Sequence, residues 1–156
     1  MSLPLDSDGF LRRECPTCER EFKWLYSGGA EAHGSEAIVP DGGYSCPYCG
    51  VQAPPGDWWT PAQLEQARAT AASDIVGPML ADFARSIGGR YNDAPERPEP
   101  LTEDDDMVRV NFLCHPTEPV KVMEDWSAPV RCLIPEQAFG CAFGAESAVW
   151  AEVSAG

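Results

Sequence analysis

Two cysteine pairs in the first third of the chain have the spacing of ligands to a single metal ion. They are Cys15-x-x-Cys18 and Cys46-x-x-Cys49, and Gly50 follows the second pair. In a Cys-x-x-Cys segment the chain folds back so that both sulfurs face one ion, and two such segments complete a tetrahedron. Gly50 suits a chain that must adopt positive φ as it turns away from the metal. The spacing therefore predicts a four-thiolate metal site.

The segment around these cysteines resembles the zinc ribbons that have rubredoxin-like knuckles. The resemblance rests on the four cysteines with Pro16, Pro47 and Gly50, and it covers about residues 10–52. It implies one structural Zn²⁺ ion, which in small zinc peptides contributes on the order of 10–16 kcal/mol of apparent folding free energy. It says little about function, because similar ribbons occur in transcription factors, ribosomal proteins, enzyme insertions and adaptor proteins.

Two redox interpretations compete with structural zinc. The spacing also resembles rubredoxin itself, which implies an iron electron carrier, but that family usually continues its first knuckle with Gly-Tyr, where this chain has Glu19-Arg20. The tetrapeptide Cys-Pro-Tyr-Cys at residues 46–49 is also that of a glutaredoxin active site. A glutaredoxin thiol needs a helix directly after it to lower its pKa, and the Gly/Pro-rich residues 50–56 do not form one. Zinc is therefore favoured over iron.

The elements around these cysteines are predicted to be short strands and one long helix. Phe22, Trp24 and Tyr26 alternate with other residues, which indicates a strand with an aromatic face. Thr60 has the character of a helix N-cap, followed by Pro61 in the first turn. The helix is expected to be kinked where a Gly-Pro pair interrupts it, because proline lacks a backbone donor. Its apolar residues recur every three or four positions: Leu64, Ala67, Ala71, Ile75, Met79, Phe83 and Ile87.

Composition divides the chain into four segments and predicts an α+β fold. Residues 1–58 form the zinc ribbon, and residues 59–90 form the kinked amphipathic helix. Residues 91–106 are rich in proline and acids, which is typical of a solvated linker. Residues 107–156, with further short strand patterns, are predicted to form a second, degenerate ribbon-like β unit.

The second unit resembles a worn copy of the first. Cys114-His115-Pro-Thr can be aligned with the first knuckle and Cys132-Leu-Ile-Pro with the second. Each copy has kept its first cysteine and lost its second, so the preferred interpretation is a ribbon without a four-thiolate site. One alternative is a rebuilt metal site from Cys114, His115, Cys132 and Cys141. The other is that these cysteines are simply small buried apolar residues.

The charge of the chain argues against nucleic acid as its partner. The formal net charge is −14, with 11 basic and 25 acidic residues. A protein that binds phosphates needs a basic face, because affinity comes from neutralising phosphates and releasing counterions. A nucleic-acid-associated or transcription-related ribbon is kept as an alternative, and it would use Arg12, Arg13, Arg20 and Lys23.

Cysteine usage and hydropathy predict a cytoplasmic protein. The seven cysteines are odd in number, and four have metal-knuckle spacing, which favours a reducing compartment. The start of the chain has no basic region followed by a long apolar one, so no secretory signal is expected. No apolar run approaches the roughly 20 residues that span a bilayer. The preference for arginine, alanine, glycine and proline hints at a bacterial source.

No catalytic constellation can be recognised, so the chain is not predicted to be an enzyme. The favoured function is that of a zinc-binding adaptor or regulatory protein that acts through protein–protein contacts. The long apolar stripe of the helix exceeds what two thin ribbons could cover. Self-association is therefore expected through Met79, Leu80, Phe83 and Ile87.

Overall fold

The computed structural model describes residues 3–25, 42–92 and 95–135, and these form a mixed α+β structure with one long helix and antiparallel sheets. The chain divides into two compact units. The sheet unit comprises described residues from Leu5–Trp59 and from Glu103 onward, and the helix unit comprises those of Thr60–Thr102 with the first residues of the chain. The elements are β1 (Phe10–Glu14), β2 (Glu21–Leu25), β3 (Tyr44–Ser45), β4 (Gln52–Ala53), a 3₁₀ turn (Pro55–Asp57), α1 (Pro61–Ala71), a π-helical turn (Ala72–Val76), α2 (Gly77–Ser86), β5 (Met107–Val110) and β6 (Val120–Met123).

The main sheet combines strands from both ends of the chain. Its four strands lie in the order β1-β2-β6-β5 and are antiparallel, with Lys23 of β2 opposite Lys121 of β6. Strands from residues 1–58 and from residues 107–156 therefore share one sheet, and the sequence-based boundaries do not coincide with the compact units. The reason is that strand pairing joins the two segments across the intervening helix. The short strands β3 and β4 form a separate two-stranded ribbon.

One face of this sheet is apolar and carries the core. Phe22 and Trp24 confirm the aromatic strand predicted at β2, whereas Tyr26 lies outside the described residues. The ring of Phe22 meets Trp58 edge-on at 5.6 Å and Tyr48 at 6.4 Å between ring centroids. Other segments of the sheet unit cover this face. The buried apolar residues of the face and of the covering segments include Leu11, Phe22, Trp24, Tyr48, Trp58, Val110, Val120, Val122, Leu133 and Ile134.

The opposite face of the sheet carries a row of four cations. Arg12 lies opposite Lys23, Lys23 opposite Lys121, and Lys121 opposite Arg109. Directly opposed residues of an antiparallel pair share a face, and like charges placed there destabilise the sheet. The row therefore requires carboxylates close by.

The acidic residues 103–106 supply much of that negative charge. Glu103 and Asp106 each lie 2.8 Å from the Lys23 amine, and both also pair with Arg12. Asp6, from the start of the chain, lies 2.8 Å from the Lys121 amine. The prediction of a solvated linker over residues 91–106 therefore does not hold for Glu103, whereas most other described residues of this segment are exposed. The side chain of Glu103 is only 5% exposed, because the buried cations of the sheet attract the acidic run.

The helix unit contains the predicted long helix, with a π-helical turn just before Pro78. At its start the Thr60 hydroxyl accepts from the Gln63 N–H and the Gln63 side chain accepts from the Thr60 N–H, each at 3.2 Å. The N–H of Gly77 donates to the carbonyl of Ala72. A wider turn of this kind accommodates a proline, which would otherwise clash with the carbonyl four residues earlier.

The apolar residues of the second half of the helix are exposed. Their exposed fractions lie between 41% and 68%, so they contribute little to a core in the described residues. Within the part of the chain that is described, none of the helices combines the length and apolar character needed to cross a membrane. The exposed residues are Ile75, Val76, Met79, Leu80, Phe83 and Ile87.

Candidate metal centre

The four cysteines of the two predicted knuckles come together in the sheet unit. Their Sγ atoms all lie within 4.8 Å of one another. The distance from Cys15 to Cys49 is 3.7 Å, and that from Cys18 to Cys46 is 3.8 Å. Four sulfurs held about 2.3 Å from one tetrahedral ion would be about 3.8 Å apart, whereas a disulfide needs about 2.05 Å. The cluster consists of free thiols with the spacing of a metal site.

The two knuckles are built by the same backbone hydrogen bonds. The first knuckle connects β1 to β2, and the second connects β3 to β4. In each knuckle the first cysteine accepts a hydrogen bond from the residue that follows the second cysteine, and its own N–H donates to the residue after that. These bonds are Glu19 N–H to Cys15 at 2.9 Å, Cys15 N–H to Arg20 at 3.0 Å, Gly50 N–H to Cys46 at 3.0 Å and Cys46 N–H to Val51 at 2.8 Å.

Each knuckle turns through a residue with positive φ. At Gly50 φ is +75°, as the sequence predicted, and at the equivalent position in the first knuckle Glu19 has φ of +56°. Glutamate is disfavoured in this region because its Cβ crowds the backbone. The strained position of Glu19 was not foreseen. The signal for it was available, since Glu19 follows Cys18 as Gly50 follows Cys49.

Backbone N–H groups point at the sulfurs of the first cysteine in each knuckle. Thr17 and Cys18 donate to the Cys15 sulfur at 3.4 Å, and Tyr48 donates to the Cys46 sulfur at 3.4 Å. Such bonds stabilise negative charge on sulfur, which is the form that binds metal. They prepare the cluster for thiolate ligation.

Burial and the neighbouring thiols shift the pKa values of the clustered cysteines in different directions. Burial raises the pKa of Cys46 and that of Cys18. Burial also opposes ionisation of Cys49, but hydrogen bonds from the Val51 N–H and from the neighbouring thiols outweigh it and lower the pKa of Cys49. The exposed Cys49 thus ionises more readily than Cys18 and Cys46, for which a nearby cation would offset the cost of burying charge.

Tyr48, between the two cysteines of the second knuckle, ties the cluster to the main sheet. Its hydroxyl donates to the carbonyl of Glu21 at 2.7 Å and accepts from the N–H of Met123 at 3.1 Å. Burial raises the pKa of Tyr48, so this hydroxyl stays protonated and able to donate. Sequence reasoning missed this role, because neither partner is near Tyr48 in the chain.

The four basic residues considered for nucleic-acid binding are not gathered on one open surface. Arg12 and Lys23 lie in the row of cations and pair with Glu103 and Asp106. Arg13 lies on the apolar face of the sheet, and Arg20 lies in the first knuckle. Both of these guanidinium groups lie over aromatic rings: Arg13 over Trp24 at 4.7 Å and Trp59 at 5.1 Å, and Arg20 over Trp126 at 4.8 Å.

A second group of potential ligands lies among residues 114–132. One donor atom each from Cys114, His115 and Cys132 lies within 4.8 Å of the others. Cys132 Sγ lies 3.4 Å from His115 Nδ1. Cys141, the fourth residue of the rebuilt site considered from the sequence, lies outside the described residues.

The chain matches no protein-family model, no curated protein and no solved structure. The fold and the cluster therefore define only a broad class of protein. The protein has an α+β fold with a four-cysteine cluster suited to zinc or iron.

Proposed function

We propose that the four-cysteine cluster holds one structural Zn²⁺ ion in a zinc-ribbon-like protein. The observation that carries this proposal is the convergence of four sulfurs, with Sγ–Sγ distances of 3.7 Å between Cys15 and Cys49 and 3.8 Å between Cys18 and Cys46. Four protein ligands fill the tetrahedron and leave no position for water or substrate, as in structural rather than catalytic zinc sites. The ion would join the turn between β1 and β2 to the ribbon of β3 and β4, and so would hold the sheet unit together.

An iron centre for electron transfer is the alternative with a specific observation in its favour. Iron and zinc both accept four thiolates in tetrahedral geometry. Backbone N–H bonds to sulfur, of the kind found at Cys15 and Cys46, tune the reduction potentials of iron–sulfur centres. The sulfur–sulfur distances suit either metal. Colour separates the two, since a tetrathiolate zinc site is colourless and its ferric counterpart is red.

The test is elemental analysis combined with a ligand substitution. Cys18→Ser should remove one zinc equivalent and abolish the near-ultraviolet dichroism of the aromatic core around Trp24 and Trp58, because structural zinc contributes folding free energy directly. Thr17→Ser, a matched change at a neighbouring position outside the ligand set, should leave both unchanged. A red, iron-containing protein would favour the electron carrier, and a metal-free protein with full dichroism would refute both metals.

We further propose that the protein acts through protein–protein contacts, with a second copy of the chain seated on the exposed apolar stripe of α2 and its two flanking residues, which consists of Val76, Met79, Leu80, Phe83 and Ile87. The stripe is nearly symmetric about its middle: in an antiparallel pair related by a two-fold axis, Val76 would meet Ile87 and Leu80 would meet Phe83. Such self-complementarity is what a two-fold dimer requires. The neutralised basic residues favour a protein partner over nucleic acid as well, because Arg12 and Lys23 are already paired with carboxylates.

Light scattering across a concentration series tests this contact. Phe83→Glu should shift the protein to a monomer at tens of micromolar, because it places a charge within the apolar stripe. Arg85→Gln makes the same change in net charge on the opposite side of α2 and should leave the dimer intact. A wild-type protein that is monomeric at these concentrations would refute the contact. Salt-dependent binding of DNA or RNA that is lost in Arg20→Gln would favour the nucleic-acid alternative.

A further inference from the structure

We propose that Cys114, His115 and Cys132 form a second metal site, which binds Zn²⁺ independently of the four-cysteine cluster. One donor atom of each residue lies within 4.8 Å of the other two. Two sulfurs and an imidazole nitrogen are a donor set that zinc prefers. The site carries fewer cysteines than the first and shares no ligand with it.

The distance between the donor atoms of Cys132 and His115 fits a shared ion. A zinc ion with ligands at about 2.3 Å for sulfur and about 2.0–2.1 Å for nitrogen would hold the two atoms about 3.6 Å apart at a tetrahedral angle. The distance between Cys132 Sγ and His115 Nδ1 is 3.4 Å. Ring nitrogen and thiol sulfur are therefore already close to the positions that ligation demands.

The first two donors are held by the connection between β5 and β6. Cys114 and His115 are adjacent in this connection, and the carbonyl of His115 accepts a hydrogen bond at 3.0 Å from the N–H of Glu118, which closes a turn. The first knuckle of the four-cysteine cluster is also closed by a backbone bond to the carbonyl of a cysteine, from the Glu19 N–H to Cys15. In both places a local backbone bond fixes the turn that presents a donor.

The third donor is fixed by the second knuckle of the four-cysteine cluster. Two antiparallel backbone bonds flank Cys132: Arg131 donates to the carbonyl of Pro47 at 2.9 Å, and Leu133 accepts from the N–H of Ser45 at 2.7 Å. These bonds hold the backbone of Cys132 opposite Cys46. A donor that is positioned in advance loses less conformational freedom on binding.

A cysteine beside a histidine can instead be a reactive thiol activated by the imidazole. One feature favours the metal. A third donor, Cys114, converges on the pair, so that all three donor atoms lie within 4.8 Å of one another, which activation of a single thiol does not need. The three donors leave one position of a tetrahedron for water or another ligand.

Zinc content of the full-length protein tests the second site. After loading with excess Zn²⁺ under reducing conditions and removal of free metal, the wild type should hold two zinc ions per chain. Cys132→Ser and Cys114→Ser should each lower this to one, with the aromatic near-ultraviolet dichroism of the sheet unit retained. Because Cys114 is exposed, its substitution tests the site even if Cys132→Ser fails to fold.

Cobalt substitution separates this site from the first. Co²⁺ bound by four thiolates has stronger sulfur-to-metal charge-transfer absorption than Co²⁺ bound by two, so Cys114→Ser should remove the weaker component and leave the stronger one. His115→Ala should remove the same component as Cys114→Ser. One zinc per wild-type chain, an unchanged zinc content in Cys114→Ser, or a Cys114–Cys132 disulfide in protein kept under reductant would each overturn the proposal. Failure of the four-cysteine proposal would instead appear as a folded wild type that lacks the stronger component.

Discussion

Glu19 and Gly50 stand at equivalent positions in the two knuckles, and the residue type decides how much conformational free energy each turn requires. Both have positive φ, a conformation that costs a residue with a side chain about 1–2 kcal/mol. Gly50→Ala should therefore lower the free energy of unfolding by about 1–2 kcal/mol. The new Cβ would lie 3.0 Å from Cδ of Arg131, and this flexible side chain can move aside. Urea unfolding with zinc present measures the change.

Glu19→Gly is the matched reverse substitution. It relieves the same strain but gives the unfolded chain more freedom, at about 0.5–1 kcal/mol. The expected result is unchanged or slightly increased stability. Equal destabilisation by both substitutions would show that φ is not what distinguishes these positions.

Lys23 is the most deeply buried cation of the charged face. Its side chain is fully buried and its amine lies near Asp6, Glu103 and Asp106. Removing one partner of a buried ion pair leaves uncompensated charge, which costs about 3–5 kcal/mol. Lys23→Met, which keeps much of the side-chain volume, should therefore destabilise the sheet unit by about this amount in urea unfolding.

An exposed ion pair provides the control for Lys23. The side chains of Arg85 and Asp82 are 74% and 70% exposed, and exposed pairs contribute about 0–1 kcal/mol. Arg85→Gln should accordingly change stability by less than about 1 kcal/mol. If Lys23→Met had an effect this small, the charged face would not be a stabilising network.

The four clustered cysteines are the residues whose grouping could be predicted from the sequence alone. Cys15 and Cys18 come together through a turn of four residues, so their spacing contains most of the geometry. The contacts of Lys23 and Tyr48 could not be predicted, because Asp106 and Met123 are their neighbours only after the strands pair. The sequence thus predicted contacts between residues that are close in the chain, and it did not predict contacts between residues that are distant in the chain.

At the scale of elements, the helix was predicted well because its signals are local. The Thr60 cap, the long apolar periodicity and the interruption at Pro78 all appear in the structure. The π-helical turn was not predicted, although it lies where the sequence placed the interruption. Proline explains the position of this turn, because its ring and missing N–H disfavour a regular α-helical turn just before it.

Substitution of Pro78 tests the cause of the π-helical turn. Pro78→Ala restores a backbone donor and removes the ring, so the regular α-helix should become accessible and the helix more stable, by up to about 3 kcal/mol. Far-ultraviolet dichroism and urea unfolding should report equal or greater helicity and a higher midpoint. Ala84→Pro, which places a proline in the regular part of α2, should do the opposite. Lower helicity in Pro78→Ala would mean that the proline is not the cause.

The strands were predicted as elements, but their partners were not. Alternation in β2 marks a strand with one apolar face, yet nothing in that pattern names β6 as its neighbour. The prediction of a separate C-terminal ribbon followed from reading each segment alone. The acidic run at residues 103–106 was assigned to solvent for the same reason, since Arg12 and Lys23 are far from it in sequence.

For the molecule as a whole, the charged face predicts how stability responds to acid. Burial opposes ionisation of Asp106, but hydrogen bonds from Arg12 and Lys23 outweigh it and lower the pKa of Asp106 from 3.8 to about 2. A carboxyl whose pKa is lower in the folded state binds its proton more readily when unfolded. Its stabilising contribution is therefore fully present above about pH 4 and is lost as the pH falls through about 2.

Comparison of the wild type with Asp106→Asn isolates this contribution from the loss of metal that acid also causes. The variant lacks the titrating carboxyl, so it should be less stable than the wild type at pH 7, by an amount that stays constant down to about pH 4. The difference should then shrink as the pH approaches 2, because protonated Asp106 no longer pairs with the cations. Urea unfolding of both proteins in parallel, with the same excess of zinc, measures it. A difference that narrows already between pH 7 and 5 would contradict the lowered pKa of Asp106. No difference at pH 7 would mean that the other carboxylates beside the row, which are Asp6, Asp8, Glu21 and Glu103, balance the cations without Asp106.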